Sequence, residues 1–323
     1  MDRQPAAHAM NGVLVIDKPA GKTSHQVVAE VSRRLGRVKA GHAGTLDPMA
    51  TGVLLVCVGE GTKISGLLAL DDKAYEGELE LGVETDTLDA EGTVVRQRRA
   101  EAARIDRAAL EAQVARMVGP SMQVPPMYSA VKVEGRRLHE LARAGAEVER
   151  AARPIEVRRF EVLSFEAGRA RFAVDCSKGT YVRSLVADLG EALGCGAHLT
   201  ALRRTRSGRF GLERAVPPGE VDPESAARAL VPLAEALGHL VQVTLPGHLA
   251  RAAQTGKPLK WEDVAPGATP LAGGGPVALL APDGSLVAVA DVERGRLRYR
   301  RVFAAAPAAG RPSTNHRARS RDS

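Results

Sequence analysis

Aromatic residues are scarce in this chain: Phe, Trp and Tyr together number ten of 323 residues, or 3%. Each tyrosine is therefore worth placing individually. Cysteine is scarcer still, with Cys57, Cys176 and Cys195 widely spaced, odd in number and without a C-x-x-C pair. That spacing lends no support to a zinc site or a disulfide framework, and it points to a reducing cytosol. Long apolar runs are missing too. The stretches Val53 to Val58 and Val277 to Ala281 fall far below the roughly 20 residues a membrane span needs. The start of the chain shows no basic segment followed by a long apolar one, and no repeat with a period of about 20–50 residues is visible. The expectation is a soluble, cytoplasmic protein with no membrane partner.

What is present is a globular composition, 44% hydrophobic and 26% charged, which excludes disordered, collagenous and acidic-tail classes. The length fits two domains, or one large and one small. Lys and Arg outnumber Asp and Glu by 45 to 38, a formal charge of +7, and the pI is about 9.6. A balance of this sign favours a polyanionic partner, a nucleic acid or an anionic membrane surface.

Residues 1–10 read as a loose leader, followed by a short strand at Gly12-Val-Leu-Val-Ile16. Ser24 is placed to cap a helix whose Val27, Val28, Val31 and Leu35 recur at helical spacing before Gly36. Val53 to Val58 is a buried strand. From Tyr75 the alternation of Tyr75, Gly77, Leu79, Leu81 and Val83 with Glu76, Glu78, Glu80 and Glu84 predicts a half-buried strand. Leu110, Val114 and Val118 mark a helix that stops at Gly119-Pro120, and 119–153 reads as an inserted loop with one short helix near Leu138 to Ala142. Ala170, Phe172, Val174 and Cys176 form a strand running through Ser177-Lys178-Gly179-Thr180 into a helix carrying Val182, Leu185, Val186, Leu189 and Leu193. Further on, Val277 to Leu280, Pro282-Asp283-Gly284 and Leu286 to Ala290 read as a hairpin in a small β-rich second domain. The last residues, Arg311 to Ser323, hold four Arg and one Asp and read as a disordered basic tail.

The densest unusual segment is Gly41-His-Ala-Gly-Thr-Leu-Asp-Pro-Met-Ala-Thr-Gly52. Its glycines allow positive φ or close approach, and Pro48 stiffens the chain beside Asp47. Asp47 is then either a held carboxylate with chemistry to do or a turn residue capping backbone amides. His42 could serve as an acid–base group, a stacking ring or a plain hydrogen-bonding residue. No second His stands at metal-ligand spacing to it. Tyr75, Tyr128 and Tyr181 fall in otherwise unusual segments, although a tyrosine at a strand or helix end is commonly packed at a core margin. Arg183, in the first turn of its helix, could pair with a carboxylate and keep it ionised. From Lys178 to Arg214 seven basic residues face three acidic ones. Within that stretch Arg203, Arg204 and Arg206 suit a phosphate backbone or a solvated face. Neither a P-loop nor a strand-linked G-x-G-x-x-G occurs, so nucleotide cofactor binding is unsupported. Read from residues alone, the chain is an intracellular RNA- or DNA-binding protein with one candidate carboxylate.

A set of blocks in fixed order adds a resemblance. These are Gly12-Val-Leu-Val-Ile-Asp-Lys-Pro19, the Gly-His-x-Gly-x-Leu-Asp-Pro loop at 41–48, Lys73-Ala-Tyr75 and Thr85-Asp-Thr-Leu-Asp89. They continue with Pro125-Pro-Met-Tyr-Ser-Ala130, Arg153-Pro-Ile155, Cys176-Ser-Lys-Gly-Thr-Tyr-Val-Arg183 and Gly194-Cys-Gly-Ala-His-Leu199. Together they resemble the TruB family of bacterial tRNA pseudouridine-55 synthases over most of residues 12–214. The resemblance implies an α+β catalytic domain at 11–244, built on a mixed, mainly antiparallel sheet, with 119–153 as a thumb over RNA. It also implies a small PUA-like RNA-binding β-barrel at 245–305, leaving a disordered tail at 306–323.

The implied reaction turns the T-loop uridine of tRNA into pseudouridine, an isomerisation that calls for no cofactor and no metal. Asp47 is the implied nucleophile, acting at the sugar or the base. Tyr75 stacks on the base and serves in proton transfer, and Arg183 pairs with Asp47. His42 fills the space the extruded base leaves, Tyr181 and Leu202 wall the pocket, and Lys18 and Lys178 support substrate binding. The implied partner is the tRNA T-arm, bound by a monomer without an obligatory protein partner. Two alternatives stand beside this reading: a guide-RNA-dependent pseudouridine synthase, and a tRNA-folding chaperone whose chemistry is secondary.

Overall fold

The computed structural model describes residues 10–129, 132–133, 136–137, 148–267 and 275–304. The chain divides into two compact units, Met1–Val231 and Pro232–Ser323. In the first, the strands are β1 (Gly12–Lys18), β2 (Ala40–Ala43), β3 (Thr51–Val58), β4 (Lys73–Leu81), β5 (Val83–Thr85), β6 (Val94–Gln97) and β7 (Gly119–Gln123). The two-residue β8 (Lys132–Val133) and β9 (Arg136–Arg137) precede β10 (Arg153–Glu166), β11 (Arg169–Cys176), β12 (Ala197–Ser207) and β13 (Phe210–Gly211). Nine of these form one sheet in the order β1-β3-β12-β4-β11-β10-β7, with β2 added to β3 and β13 to β12. Every pairing in it is antiparallel except β12 with β3. This is the mixed, mainly antiparallel sheet of an α+β domain.

Apolar side chains decide which face is covered. Leu14 and Ile16 of β1, Leu54 and Val56 of β3, Leu79 of β4, and Phe172 and Val174 of β11 are buried in a single core. The helix Ser24–Arg34 brings Val27, Val28 and Val31 to that core, and the helix Val182–Ala192 brings Leu185, Val186 and Leu189. Ser24 is not the cap of its helix. Thr23 is, in a capping box with Gln26, and this frees the Ser24 hydroxyl for a contact described below.

The helix Arg107–Arg116 buries Leu110 and Val114 but ends before Val118, which is 44% exposed. Gly119-Pro120 opens β7, which pairs with β10 through Gly119↔Val157 and Pro120↔Glu156. An edge strand tolerates a proline that cannot donate to a ladder. The stretch read as an insertion at 119–153 therefore begins and ends in strands of the main sheet. The expected short helix at Leu138 to Ala142 lies outside the described residues, as do most of the leader and the tail.

Where β3 runs beside β12, Gly52 sits opposite Arg204 with φ +95°, and a Cβ there would lie 2.2 Å from the Arg204 carbonyl oxygen. Only glycine fits. Gly52→Ala is expected to cost about 3 kcal/mol or more through strain and overlap together, read as a lost or strongly lowered thermal transition.

The second unit holds β14 (Val241–Thr244), β15 (Pro276–Leu280), β16 (Leu286–Glu293) and β17 (Arg296–Val302). The expected hairpin is there, with Val277↔Ala290 in register, Gly284 at φ +81° and Asp283 Oδ1 accepting from Ser285 N at 2.9 Å. β14 pairs in parallel with β15, so this unit starts upstream of residue 245. Among the described residues the four strands lie in a row, β14-β15-β16-β17, rather than closing into a barrel. No helix of the described residues is long and apolar enough to cross a membrane.

Candidate active site

Asp47 lies in the irregular segment 44–50 between β2 and β3. Such a segment cannot satisfy its own backbone, and buried carbonyls without donors are costly. Here buried side chains from three other elements supply the donors. Ser24 Oγ donates to Leu46 O at 3.0 Å and accepts from Leu46 N at 2.9 Å. Lys18 Nζ donates to Pro19 O, Pro48 O and Ala50 O at 2.9, 3.0 and 2.6 Å. Arg204 donates to the carbonyls of Gly44 and Thr45 at 3.1 and 3.4 Å. Ala50 N closes a turn onto Asp47 O at 3.1 Å, and Pro48 supplies the fixed φ that such a turn takes at its second position. The carboxylate is thus aimed by a held backbone.

Its partner is Arg183, from the first turn of the helix Val182–Ala192. Arg183 Nη2 donates to Asp47 Oδ1 at 3.1 Å, and Nε lies 2.9 Å from Oδ2 as an ion-pair contact. Further donors run from Nη1 to Thr87 O at 2.8 Å and from Nη2 to Tyr128 O at 2.9 Å. Asp89 Oδ2 lies 3.4 Å from Nη1. Arg183 and Asp89 are buried, while the Asp47 side chain stays 34% exposed, open to a substrate. Burial pushes the Asp47 carboxyl above its ordinary value and Asp89 adds to this, while Arg183 pulls the other way. Asp89 was not singled out from the sequence, although it ends one of the recognised blocks. Its role depends on a contact 94 residues along the chain, with Arg183.

A cleft of about 230 Å³ opens over Asp47, lined among others by Tyr75, Ser129, Tyr181, Arg183, Leu202 and Arg204. Tyr75 on β4 and Leu202 on β12 reach it from neighbouring strands of the sheet. Tyr181 precedes the Arg183 helix and is clamped by Gln123, whose Oε1 accepts from Tyr181 N at 2.8 Å while Nε2 donates to Tyr181 O at 3.1 Å. Gln123 carried no signal in the sequence. Burial raises the pKa of both Tyr75 and Tyr181, so both phenols are held protonated.

The remaining expected residues fall elsewhere. His42, on β2 opposite Val56, is half-buried and is not among the residues lining the cleft. Lys178 is exposed in the turn between the lining residues Ser177 and Gly179. Lys18 is corrected from a substrate-binding residue to a support of the loop, because it is fully buried under three carbonyls. Burial brings its pKa down to about 8. Lys18→Met should lower stability by roughly 2 kcal/mol or more by leaving those carbonyls without donors, and a thermal melt checks it.

The basic run divides. Arg204 is 1% exposed and its donors point inward, so it is not a phosphate contact. Arg203 is engaged with Asp17 at 3.1 and 2.8 Å, and Arg206 with Asp175 at 3.2 Å. Arg203 and Arg206 stand opposite Glu76 and Ala74 across a bulge in β12, with side chains 41% and 42% exposed, whereas Arg204 between them turns inward.

Comparison with known proteins meets this geometry. Residues 32–182 match the TruB family pseudouridylate synthase (N terminal domain), and residues 183–237 match the tRNA pseudouridylate synthase B C-terminal domain. The chain belongs to the TruB family. Among TruB relatives, tRNA pseudouridine synthase B of Thermobifida fusca is 44% identical over 91% of this chain and 99% of its own length. The protein of that name from Aromatoleum aromaticum is 48% identical over 73% of this chain and 77% of its own. Among solved structures, an archaeal box H/ACA Nop10-Cbf5 complex is similar at a TM-score of 0.69 and 26% identity, covering 94% of this chain and 88% of that one. A Cbf5-Nop10-Gar1 complex gives 0.70 and 28%, covering 93% and 87%.

Proposed function

We propose that this TruB-family enzyme isomerises the T-loop uridine of tRNA, position 55, to pseudouridine. The observation that carries the reading is one carboxylate, Asp47, aimed by a held loop, gripped by Arg183 and facing a cleft walled by Tyr75, Tyr181 and Leu202. Relatives named tRNA pseudouridine synthase B supply the RNA class.

A base in a folded loop is out of reach of a carboxylate at the floor of a cleft, so the uridine must be extruded first. Tyr75 and Leu202 then offer flat and apolar surfaces to the base. The N1–C1′ bond breaks, Asp47 covers the electron-poor centre at the sugar, or leads it through a glycal, and the freed base turns. The C5–C1′ bond forms, the C5 hydrogen leaves as a proton, and N1 ends protonated. Electrons and atoms balance within the substrate. Arg183 keeps Asp47 charged and in place until it acts.

The archaeal H/ACA neighbours raise a guide-dependent reading, but at 26–28% identity they stand well below the 44% shared with the Thermobifida protein along nearly its whole length. Tritium release from a T-arm RNA carrying C5-labelled uridine tests both points, using the chain alone without guide RNA, partner protein or metal. Release mapped to the T-loop uridine is the expected result. Tight RNA binding without release would reject the stand-alone reading.

A further inference from the structure

The edge of β3 that faces away from β1 is shared by two strands. β2 pairs with its later half, ending at Ala43↔Leu55, and β12 pairs with its start, at Arg203↔Thr51 and Arg204↔Gly52. Between them Val53 and Leu54 have no strand partner on that edge, and the Asp47 segment leaves β2 at this split. The Arg204 side chain closes it. Nε donates to Val53 O at 2.6 Å, while Nη2 and Nη1 reach Gly44 O and Thr45 O on the departing segment. Arg204 also stands directly opposite Tyr75 in the β4–β12 register, which places the two side chains on one face, and both line the cleft. One planar group therefore ties the fixed strand and the carboxylate-bearing loop together, directly across from the stacking tyrosine.

We infer that Arg204 is a positioning residue for the isomerisation: it sets the distance between Tyr75 and the Asp47 loop, and it does not bind RNA. The inference rests on the reaction proposed above. The residue type follows from the acceptors. Three carbonyls on two separate segments suit the five-donor fork of arginine, whereas lysine offers a point charge on a mobile stem. A shift of about 1 Å at a reacting group can cost about 10²-fold in rate, so loss of this tie falls on the chemical step.

The test uses Arg204→Lys and Arg204→Ala in the full chain, with T-arm binding, single-turnover pseudouridine formation and thermal melting measured on each. The expected result is a cooperative melt, a tRNA Kd within about 3-fold of wild type, and a single-turnover rate down about 10²-fold. Millimolar methylguanidinium should restore part of the rate to the Ala variant. Should the Ala variant not fold, the Lys variant decides alone. The inference is overturned by a folded Lys variant with a rate within about 3-fold of wild type. A loss confined to the tRNA Kd, which would make Arg204 an RNA contact, overturns it too, as does a Lys variant without a cooperative melt, which would make it a fold anchor only. Wild type without product in the same assay would count against the proposed reaction, whereas an active wild type with unaffected variants counts against Arg204 alone.

Discussion

Asp47→Asn is expected to bind the T-arm with nearly wild-type affinity and to form no measurable pseudouridine, a loss of at least about 10³-fold in single-turnover rate. Asparagine has the same shape and keeps one oxygen for Arg183, so the loop and cleft should survive. What goes is the charge that can meet an electron-poor sugar carbon or take part in glycal formation. Tritium release, tRNA binding and a thermal melt on one preparation read the three consequences separately. Substantial tritium release from the variant would remove Asp47 from the mechanism. A cellular benefit that persists in the variant without product would favour the chaperone reading.

Arg183→Gln is expected to be the second most damaging change, lowering kcat about 10²–10³-fold. It would also cost about 3 kcal/mol of stability, because buried Asp89 loses its counter-charge. A pH profile separates it from a plain packing defect. Burial already sets Asp47 above its ordinary value and Arg183 opposes that rise. The active form is the ionised one, so activity is present above the Asp47 pKa and lost as pH falls through it. Removing the guanidinium leaves desolvation and the Asp89 charge opposed only by Lys18, moving the pKa further up. The acid limb of the rate profile must therefore shift to higher pH in the variant, with part of the rate regained by raising pH. An unshifted limb would mean that another group controls the acid side.

Much of this site could be read along the chain. The apolar runs of β1 and β3, the alternation of β4 and β11 and the helical spacing after Thr180 each report a local period, and the structure keeps all of them. The stiff segment around Asp47-Pro48 and the place of Arg183 in the first turn of its helix were also visible locally. So was the Asp283-Gly284 turn between β15 and β16.

Long-range pairing decided the rest. Arg204 looks like its neighbours in a basic run, and only the split edge of β3, 151 residues earlier, makes it an internal donor. Lys18, Ser24 and Gln123 read as a basic residue, a cap and a loop amide. They became anchors because particular carbonyls and amides were left without partners once the sheet had closed. The second unit's start moved upstream because Val241 to Thr244 pairs with a strand more than thirty residues later. Sequence by itself determined the local elements, the candidate carboxylate and the family. Which polar side chains go inside was settled by the tertiary structure alone, since a buried donor is stabilised only by the acceptors that distant strands leave open.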